Sequence, residues 1–269
     1  MSKPKVIITR KWPLAAEARA RELFDVTLNT DDHPLSVAEL QQALKSADAV
    51  CPTVSDKISA EVLSATPLKC KILGNFGVGF NHIDLKAAKE RNLVVTNTPD
   101  VLTDCTADIA MTLMLMAARR AGEGERHVRT KAWTGWRPTH MIGAKVTGKT
   151  LGLIGMGRIA RAMAHKAHHG FGMKIIFNDP YPPPPEIVKD LKAESRNTLE
   201  EVLQQADFVS LHCPGGDETR HLINDKRLAM MKPSAFIINT ARGDVIDPPA
   251  LIKALRQGTI AGAGLDVYE

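Results

Sequence analysis

The sequence lacks the features of a nucleic-acid-binding or membrane protein. Its formal net charge is only +5, and it has no block of lysine and arginine with interleaved aromatic residues, so no nucleic-acid partner is expected. The longest apolar run, IAMTLMLMAA, has about half the length of a membrane-spanning helix. The amino terminus leads into a β-branched strand without the apolar core of a signal peptide. We therefore expect a cytoplasmic protein with no membrane partner.

Cysteine and histidine give no sign of disulfide bonds or of a metal site. The sequence has no CxxC pair, and we expect no metal-binding histidine cluster. Three histidines of one helical segment are expected to form a solvated or packing face: His165, His168 and His169. The cysteines are expected to be reduced thiols, which agrees with a cytoplasmic location: Cys51, Cys70, Cys105 and Cys213.

Short β-branched segments alternate with amphipathic helical segments along almost the whole chain. This alternation predicts two doubly wound α/β domains, each with a parallel sheet covered by helices on both faces. We expect the first domain at residues 1–99 and the second at 100–269. Within the second, about 101–148 predicts a long apolar helix, expected to pack on another domain or subunit, and then an aromatic, turn-rich arm.

A glycine motif follows the first strand of the second domain, in the segment GLIGMGRIA. Gly155, Gly157 and Ala160 form G-x-G-x-x-A between a predicted strand and a predicted helix. The first glycine permits a tight turn, the second lets a pyrophosphate approach the backbone, and the small third residue lets helix and strand pack. The helix start, at Arg158 and Ile159, presents backbone N–H groups to phosphate. The alternative is a glycine turn between packed elements.

Asp179 ends the next predicted strand, about twenty residues after the glycines, where a ribose-binding acid is expected. A carboxylate there accepts hydrogen bonds from the ribose hydroxyls and repels a 2′-phosphate. Prolines follow it directly, with no Arg or Lys to bind such a phosphate. The pattern therefore favours NAD(H) over NADP(H), although Asp179 could also simply cap a loop.

Several motifs in order and spacing resemble the D-isomer-specific 2-hydroxyacid dehydrogenase family. They are GNFGVGFNHID, NTPDVLTDCTADIAM, GLIGMGRIA, LHCP, NTARGDVID and GAGLDVYE. The similarity covers nearly all of the chain, and the glyoxylate/hydroxypyruvate (D-glycerate) reductase group is the most similar. The resemblance implies a flavodoxin-like substrate domain and a Rossmann NAD-binding domain.

The resemblance also implies the residues that bind substrate. Val78 and Gly79 would offer backbone N–H groups to the substrate carboxylate. Arg242 would be the catalytic arginine, holding the carboxylate and polarising the 2-keto oxygen; its alternative is an ion pair with Asp244. Trp136, in the arm, would reach into the site of a partner subunit in a homodimer, or would be ordinary arm packing.

For the cofactor, the resemblance implies contacts at three strand ends and one helix. Asp266 would hold the nicotinamide carboxamide and fix which face of the ring meets the substrate. The other implied contacts are Thr106, Cys213, Pro214, Thr240 and Ala241.

The family's acid is a histidine in a PHIG-like loop, paired with a glutamate five positions after the aspartate of GLDV. Counted from Asp266, that glutamate falls beyond Glu269, so both groups are expected outside this sequence. The last helix, which in the family returns to the first domain, is also expected there. We therefore expect the sequence to be a fragment of a longer enzyme, with weak cofactor binding and poor turnover.

The expected function is NAD(H)-dependent reduction of a small 2-keto acid, glyoxylate or hydroxypyruvate, to the D-2-hydroxy acid. The alternative is a dehydrogenase-like NAD-sensing binding protein or corepressor without turnover, because the same fold supports both functions.

Overall fold

The computed structural model describes residues 2–181 and 183–269. The chain forms two compact units, and the boundary between them lies between Val101 and Leu102. The first unit is Met1–Val101 and the second is Leu102–Glu269. This boundary lies two residues after the expected one.

The first unit is a parallel sheet with helices between its strands. Its strands are β1 (Lys5–Ile8), β2 (Asp25–Leu28), β3 (Ala49–Cys51), β4 (Ile72–Gly74) and β5 (Val94–Thr96). Its helices are α1 (Leu14–Leu23), α2 (Val37–Ser46), α3 (Ala60–Leu63) and α4 (Leu85–Glu90). The strand order is β2-β1-β3-β4-β5, with every pair parallel. This is the flavodoxin-like order.

Local capping explains where helices of the first unit begin. The Ser36 side chain accepts from the Glu39 backbone, and the Glu39 carboxylate accepts from Ser36 N–H at 2.8 Å. This reciprocal capping box satisfies backbone donors that the first helical turn leaves open. Hydrogen bonds from Ser36 lower the pKa of Glu39 to about 2. Asp84 starts α4 in a similar way, accepting from Ala87 N–H at 2.9 Å.

The second unit has a larger parallel sheet. Its strands are β6 (Thr150–Ile154), β7 (Lys174–Asn178), β8 (Glu194–Ser195), β9 (Phe208–Leu211), β10 (Phe236–Asn239) and β11 (Gly262–Leu265). Its helices are α5 (Thr103–Ala118), α6 (Ala121–Arg129), α7 (Arg158–Phe171), α8 (Pro185–Asp190), α9 (Leu199–Gln205), α10 (Asp225–Leu228) and α11 (Pro248–Gln257), with a 3-10 turn at Gly243–Val245.

The strand order of the second sheet is β11-β10-β9-β6-β7-β8, all parallel. Read from the other edge this is the 3-2-1-4-5-6 order of the Rossmann fold, and the order reverses between β6 and β9. Alternate residues of β6 enter opposite cores, because side chains alternate along a strand. Leu151 and Leu153 join the core with α5 and α7, whereas Ile154 joins the core with α9 and α11.

The apolar segment after residue 100 differs from the single helix expected. It forms α5 and α6, separated at Arg120, whose left-handed backbone (φ 54°) interrupts the helix. The buried residues of α5, including Ala107 and Met114, belong to the core of the second unit itself. Burial within the second unit therefore explains the apolar character of α5 without a partner domain or subunit. Among the described residues, no helix is both long and apolar enough to cross a bilayer.

Candidate cofactor and substrate site

The first element of the candidate site is the turn after β6. Gly155 has φ +89°, a left-handed conformation that glycine adopts without steric cost. A Cβ there would lie 2.9 Å from the His212 carbonyl oxygen and 3.1 Å from Cys213 N. The space beside Gly157 is open: apart from its chain neighbours and the adjoining helix backbone, no described residue has an atom within 4 Å of its ideal Cβ. A ligand can therefore approach the backbone at Gly157 while Gly155 packs against the neighbouring strand end.

The start of α7 faces this open space. Gly157 is the N-cap of α7 and has no side chain to cap the first-turn amides, at Arg158 and Ile159. The first N–H groups of a helix lack intrahelical acceptors and carry a partial positive charge, which suits a pyrophosphate. Ala160 is fully buried in the core that α7 shares with α5. The residues present thus fit a dinucleotide.

Asp179 follows β7 and is tied to the glycine turn. Its Oδ2 accepts from Met156 N–H at 2.6 Å, and its Oδ1 accepts from Tyr181 N–H at 2.7 Å. These bonds hold a half-buried carboxylate next to the turn, where sequence spacing predicted it. Pro182, one of the prolines expected to follow it, lies outside the described residues.

The end of β9 supplies neutral groups. Burial lowers the pKa of His212 to about 4, so the imidazole is uncharged near neutral pH. His212 Nε2 lies 2.9 Å from Ser210 Oγ. Burial also raises the pKa of Cys213 to about 11, so this side chain remains a thiol. Cys213 therefore offers an apolar wall and not a nucleophile, and Pro214 beside it is exposed.

The end of β10 is fixed by a side chain that the sequence reasoning missed. Asn239, 1% exposed, accepts from Ala241 N–H at 3.0 Å and donates from Nδ2 to the Arg242 carbonyl at 2.8 Å. The half-buried Arg242 donates from one guanidinium nitrogen to the Ala241 carbonyl at 2.7 Å. Thr240 Oγ1 is buried and has no hydrogen-bond partner among the described residues. A buried hydroxyl without a partner is costly, so Thr240 also fits the binding of a further group.

Charged residues beyond β10 and β11 complete this edge of the sheet. Asp266 follows β11, is exposed, and donates its N–H to the Asn239 carbonyl at 3.0 Å.

Asp244 lies 4.0 Å from Arg220, which shows that it has a cation other than Arg242 within reach. Glu269 lies 3.1 Å from Arg220 and 3.5 Å from His221.

Thr106 and Trp136 are the predicted residues of the second unit that do not follow a strand. Thr106 is half-buried in the first turn of α5, next to Ala107, which shares a core with Met156 of the glycine turn. Trp136 is 82% exposed in the arm. An exposed indole of this size is available for a contact outside the unit.

In the first unit, the turn after β4 holds the predicted carboxylate-binding amides. Asn75, 2% exposed, donates from Nδ2 to the carbonyls of Gly77 (3.1 Å) and Gly79 (3.0 Å). Its Oδ1 accepts from His82 Nε2 at 2.8 Å. The sequence reasoning did not single out Asn75, although its place between a strand and a glycine-rich turn was visible.

The carbonyls of this turn determine where its amides point. Asn97 donates to the Val78 carbonyl at 2.9 Å and Thr98 N–H to the Gly77 carbonyl at 3.1 Å. Because the peptide unit is planar and trans, the following N–H groups point away from these donors. In the part of the chain that the structure describes, neither Val78 N–H nor Gly79 N–H has an acceptor. Two adjacent open amides are the kind of donors that can bind an anion.

Comparison with known proteins agrees with these features. Residues 111–269 match the family described as D-isomer specific 2-hydroxyacid dehydrogenase, NAD binding domain. The chain is 45% identical over 271 residues to a glyoxylate reductase of Thermococcus onnurineus, a match that covers 99% of this chain and 80% of that protein. It is 40% identical over 268 residues to a glycerate dehydrogenase of Hyphomicrobium methylovorum, covering 100% and 83%. The crystal structure of a glyoxylate reductase from Paecilomyes thermophila matches with a TM-score of 0.85, 32% identity, and coverage of 100% and 83%.

A Rossmann sheet with a glycine turn, an acid after β7 and an arginine after β10 defines a nicotinamide-dependent dehydrogenase. The chain belongs to the D-isomer specific 2-hydroxyacid dehydrogenase family. The resemblance seen in the sequence motifs, and the two parallel-sheet domains expected from it, are confirmed.

Proposed function

We propose that the protein reduces glyoxylate or hydroxypyruvate to the D-2-hydroxy acid with NADH. The observation that carries this proposal is the position of Arg242, at the same sheet edge as the dinucleotide turn at Gly155. The names of the similar proteins, glyoxylate reductase and glycerate dehydrogenase, supply the substrate class.

The first unit is proposed to bind the substrate carboxylate. The open N–H groups of Val78 and Gly79 donate to its oxygens, and Asn75 fixes the turn so that these donors need no rearrangement. Preorganised amides of this kind favour anion binding, because the protein does not lose additional freedom when the ligand arrives.

Arg242 is proposed to bind and activate the substrate. Its guanidinium is always charged and presents paired N–H donors, which suit a carboxylate or a developing alkoxide. As the keto oxygen gains negative charge, Arg242 stabilises that charge more than it stabilises the ground state. Its half-buried position limits solvent screening of this interaction.

The cofactor would supply the hydride that adds to the keto carbon, and the histidine that the family resemblance implies would supply the proton to the resulting alkoxide oxygen. Gly157, Arg158 and Ile159 are proposed to bind its pyrophosphate through the start of α7. Asp266 is proposed to bind the nicotinamide carboxamide, which sets the face of the ring that meets the substrate. The remaining proposed contacts are Thr106, Gly155, Cys213, Pro214, Thr240 and Ala241.

NAD(H) is proposed as the preferred cofactor. A carboxylate at Asp179 accepts hydrogen bonds from ribose hydroxyls and repels a 2′-phosphate. The bonds from Met156 and Tyr181 keep that carboxylate in place.

A homodimer is also proposed, in which Trp136 contacts the site of the partner. The 82% exposure of its side chain supports this role. The four cysteines are free, which supports the proposed cytoplasmic location.

The experiment that tests the function follows NADH oxidation at 340 nm with glyoxylate and with hydroxypyruvate, in an enzyme that includes the histidine–glutamate pair implied by the family resemblance, comparing Arg242→Ala with Arg256→Ala. Arg256 is an exposed arginine of α11, so its variant controls for the loss of one positive charge. We expect Arg242→Ala to lower kcat/KM by about 10²- to 10³-fold, the scale for removal of one charge-stabilising group. NADH affinity, measured by nicotinamide fluorescence, should stay nearly unchanged. Tight NADH binding without turnover of either keto acid would instead favour an NAD-sensing binding protein.

A further inference from the structure

Three side chains converge on the outer surface of the second unit, away from the strand ends described above. His165 and His169 lie one turn apart on the same face of α7, and their ring centroids are 4.4 Å apart. Asp190, the last residue of α8, places Oδ2 3.7 Å from His169 Nε2. One ligand atom from each of the three residues lies within 4.8 Å of the other two.

This arrangement differs from the expectation that these histidines are only a solvated or packing face. His165 and His169 are exposed, as expected, but they form one cluster with Asp190. Histidines at i and i+4 share one helix face and can bind one metal ion. The third residue comes from a different helix, 21 positions after His169, so sequence spacing did not reveal it.

The composition of the cluster suits a divalent transition-metal ion. Imidazole nitrogen and carboxylate oxygen bind Zn²⁺ at about 2.0–2.2 Å. Exposed side chains can change rotamer to close the remaining gap, because little packs against them. His169 also lies in the last turn of α7, where the helix dipole carries a partial negative charge that favours a cation.

We propose that His165, His169 and Asp190 bind one zinc-class divalent ion, with water completing the coordination. The residues that the sequence and fold assign to cofactor and substrate do not include any of these three. The site lies at the opposite end of the sheet from Asp179, because α7 ends just before β7 begins and Asp179 follows the end of β7. The ion thus joins α7 to α8 and stabilises the second unit without taking part in hydride transfer.

His168 provides a matched internal control. Its Nδ1 lies 2.9 Å from the Met173 carbonyl, so this nitrogen carries the proton and donates. Its ring stands edge-on to that of His169 at 5.0 Å, yet it does not belong to the three-residue cluster. Replacement of His168 therefore removes a neighbouring imidazole but leaves all three proposed ligands.

The test is calorimetric titration of ZnCl₂ into the tag-free full chain after removal of metal with EDTA. The variants are His165→Gln, His169→Gln, Asp190→Asn and, as the control, His168→Gln. We expect one ion per chain in the unaltered protein and in H168Q. Loss of either ligand histidine should weaken zinc binding by about tenfold or more. Loss of a residue that only hydrogen-bonds a metal ligand already lowers metal affinity by about tenfold or more.

Thermal unfolding gives a second readout that does not depend on catalysis. An ion that binds the folded state raises Tm, so Zn²⁺ should raise Tm in the unaltered protein and in H168Q but not in H165Q or H169Q. Circular dichroism of each variant without metal confirms that it is folded. The proposal is overturned if zinc affinity is unchanged in both H165Q and H169Q, if H168Q loses as much affinity as they do, or if the unaltered chain shows no saturable binding.

Discussion

The carbonyl oxygen of His212 lies 2.9 Å from the point that a Cβ on Gly155 would occupy. Real Cβ atoms do not approach a backbone oxygen so closely, and the φ of +89° at Gly155 is strained for any other residue. The turn after β6 and the start of the segment after β9 are therefore fitted to each other. The conformation of the turn therefore leaves no room for a side chain at Gly155.

Gly155→Ala should weaken NADH binding, because the turn must shift away from His212 to accept a methyl group. Strain of this kind costs on the order of 1–3 kcal/mol. If the strain is present only when NADH is bound, NADH affinity falls by about 5- to 150-fold. NADH titration by fluorescence measures the effect.

Gly170→Ala is the matched control for this glycine replacement. Gly170 lies within α7, and among the described residues nothing but its chain neighbours and the helix's own backbone lies within 4 Å of its ideal Cβ. Alanine at a helical position is more favourable than glycine by about 0.5–1 kcal/mol, so this variant should have a slightly higher Tm and unchanged NADH affinity. Equal NADH affinity in both variants would contradict the role of the contact between Gly155 and His212.

Asn75→Ala should impair use of the keto acid but not of the cofactor. The variant removes the donors that hold the carbonyls of Gly77 and Gly79, and the amides between them then lose their fixed direction. We expect KM for glyoxylate or hydroxypyruvate to rise by about tenfold, the equivalent of one hydrogen bond to a charged group. The KM for NADH should not change, and a parallel rise in both constants would indicate general loss of folding instead.

Asp179→Asn should reduce the preference for NADH over NADPH. The amide retains an oxygen that can accept from Met156 N–H but lacks the negative charge that repels a 2′-phosphate. The ratio of kcat/KM for NADH to that for NADPH should fall by about tenfold or more, since one unfavourable charge contact is worth about 1–2 kcal/mol at a partly buried site. Asp225→Asn, at the exposed first residue of α10 in an ion pair with Lys253, should leave the ratio unchanged.

The strands, helices and glycine turn were predictable from sequence because the residue patterns that indicate them are local. The turn at Gly155, the strand ending before Asp179 and the alternation that defines both sheets depend on residues within about twenty positions of each other. Asn75 and Asn239 were missed because each acts on the backbone of its own turn, and nothing in composition separates such an amide from a solvated one. Asp190 was missed because its partners lie on another helix. The break at Arg120 was missed because an arginine seldom adopts a left-handed backbone.

His212 should make stability depend on pH in a defined direction. Its folded pKa, about 4, lies below the ordinary value of 6.5 because burial disfavours the charged imidazole. Between these two values the unfolded chain binds more protons than the folded chain, so the free energy of unfolding rises with pH. The contribution is fully present above pH 6.5 and is lost as the pH falls towards 4, by up to about 1.4 kcal/mol per pH unit.

His212→Gln removes this titration while keeping a side chain that can hydrogen-bond Ser210, whose Oγ lies 2.9 Å from the imidazole. Urea unfolding followed by tryptophan fluorescence at pH 5.0, 6.0 and 7.0 should show a steeper loss of stability in the unaltered protein than in the variant. Carboxylates titrate alike in both proteins, so the difference between the two curves reports His212 alone. Parallel curves over this range would mean that the imidazole takes up its proton at the same pH in the folded and unfolded chains, and that burial at the end of β9 does not keep it neutral.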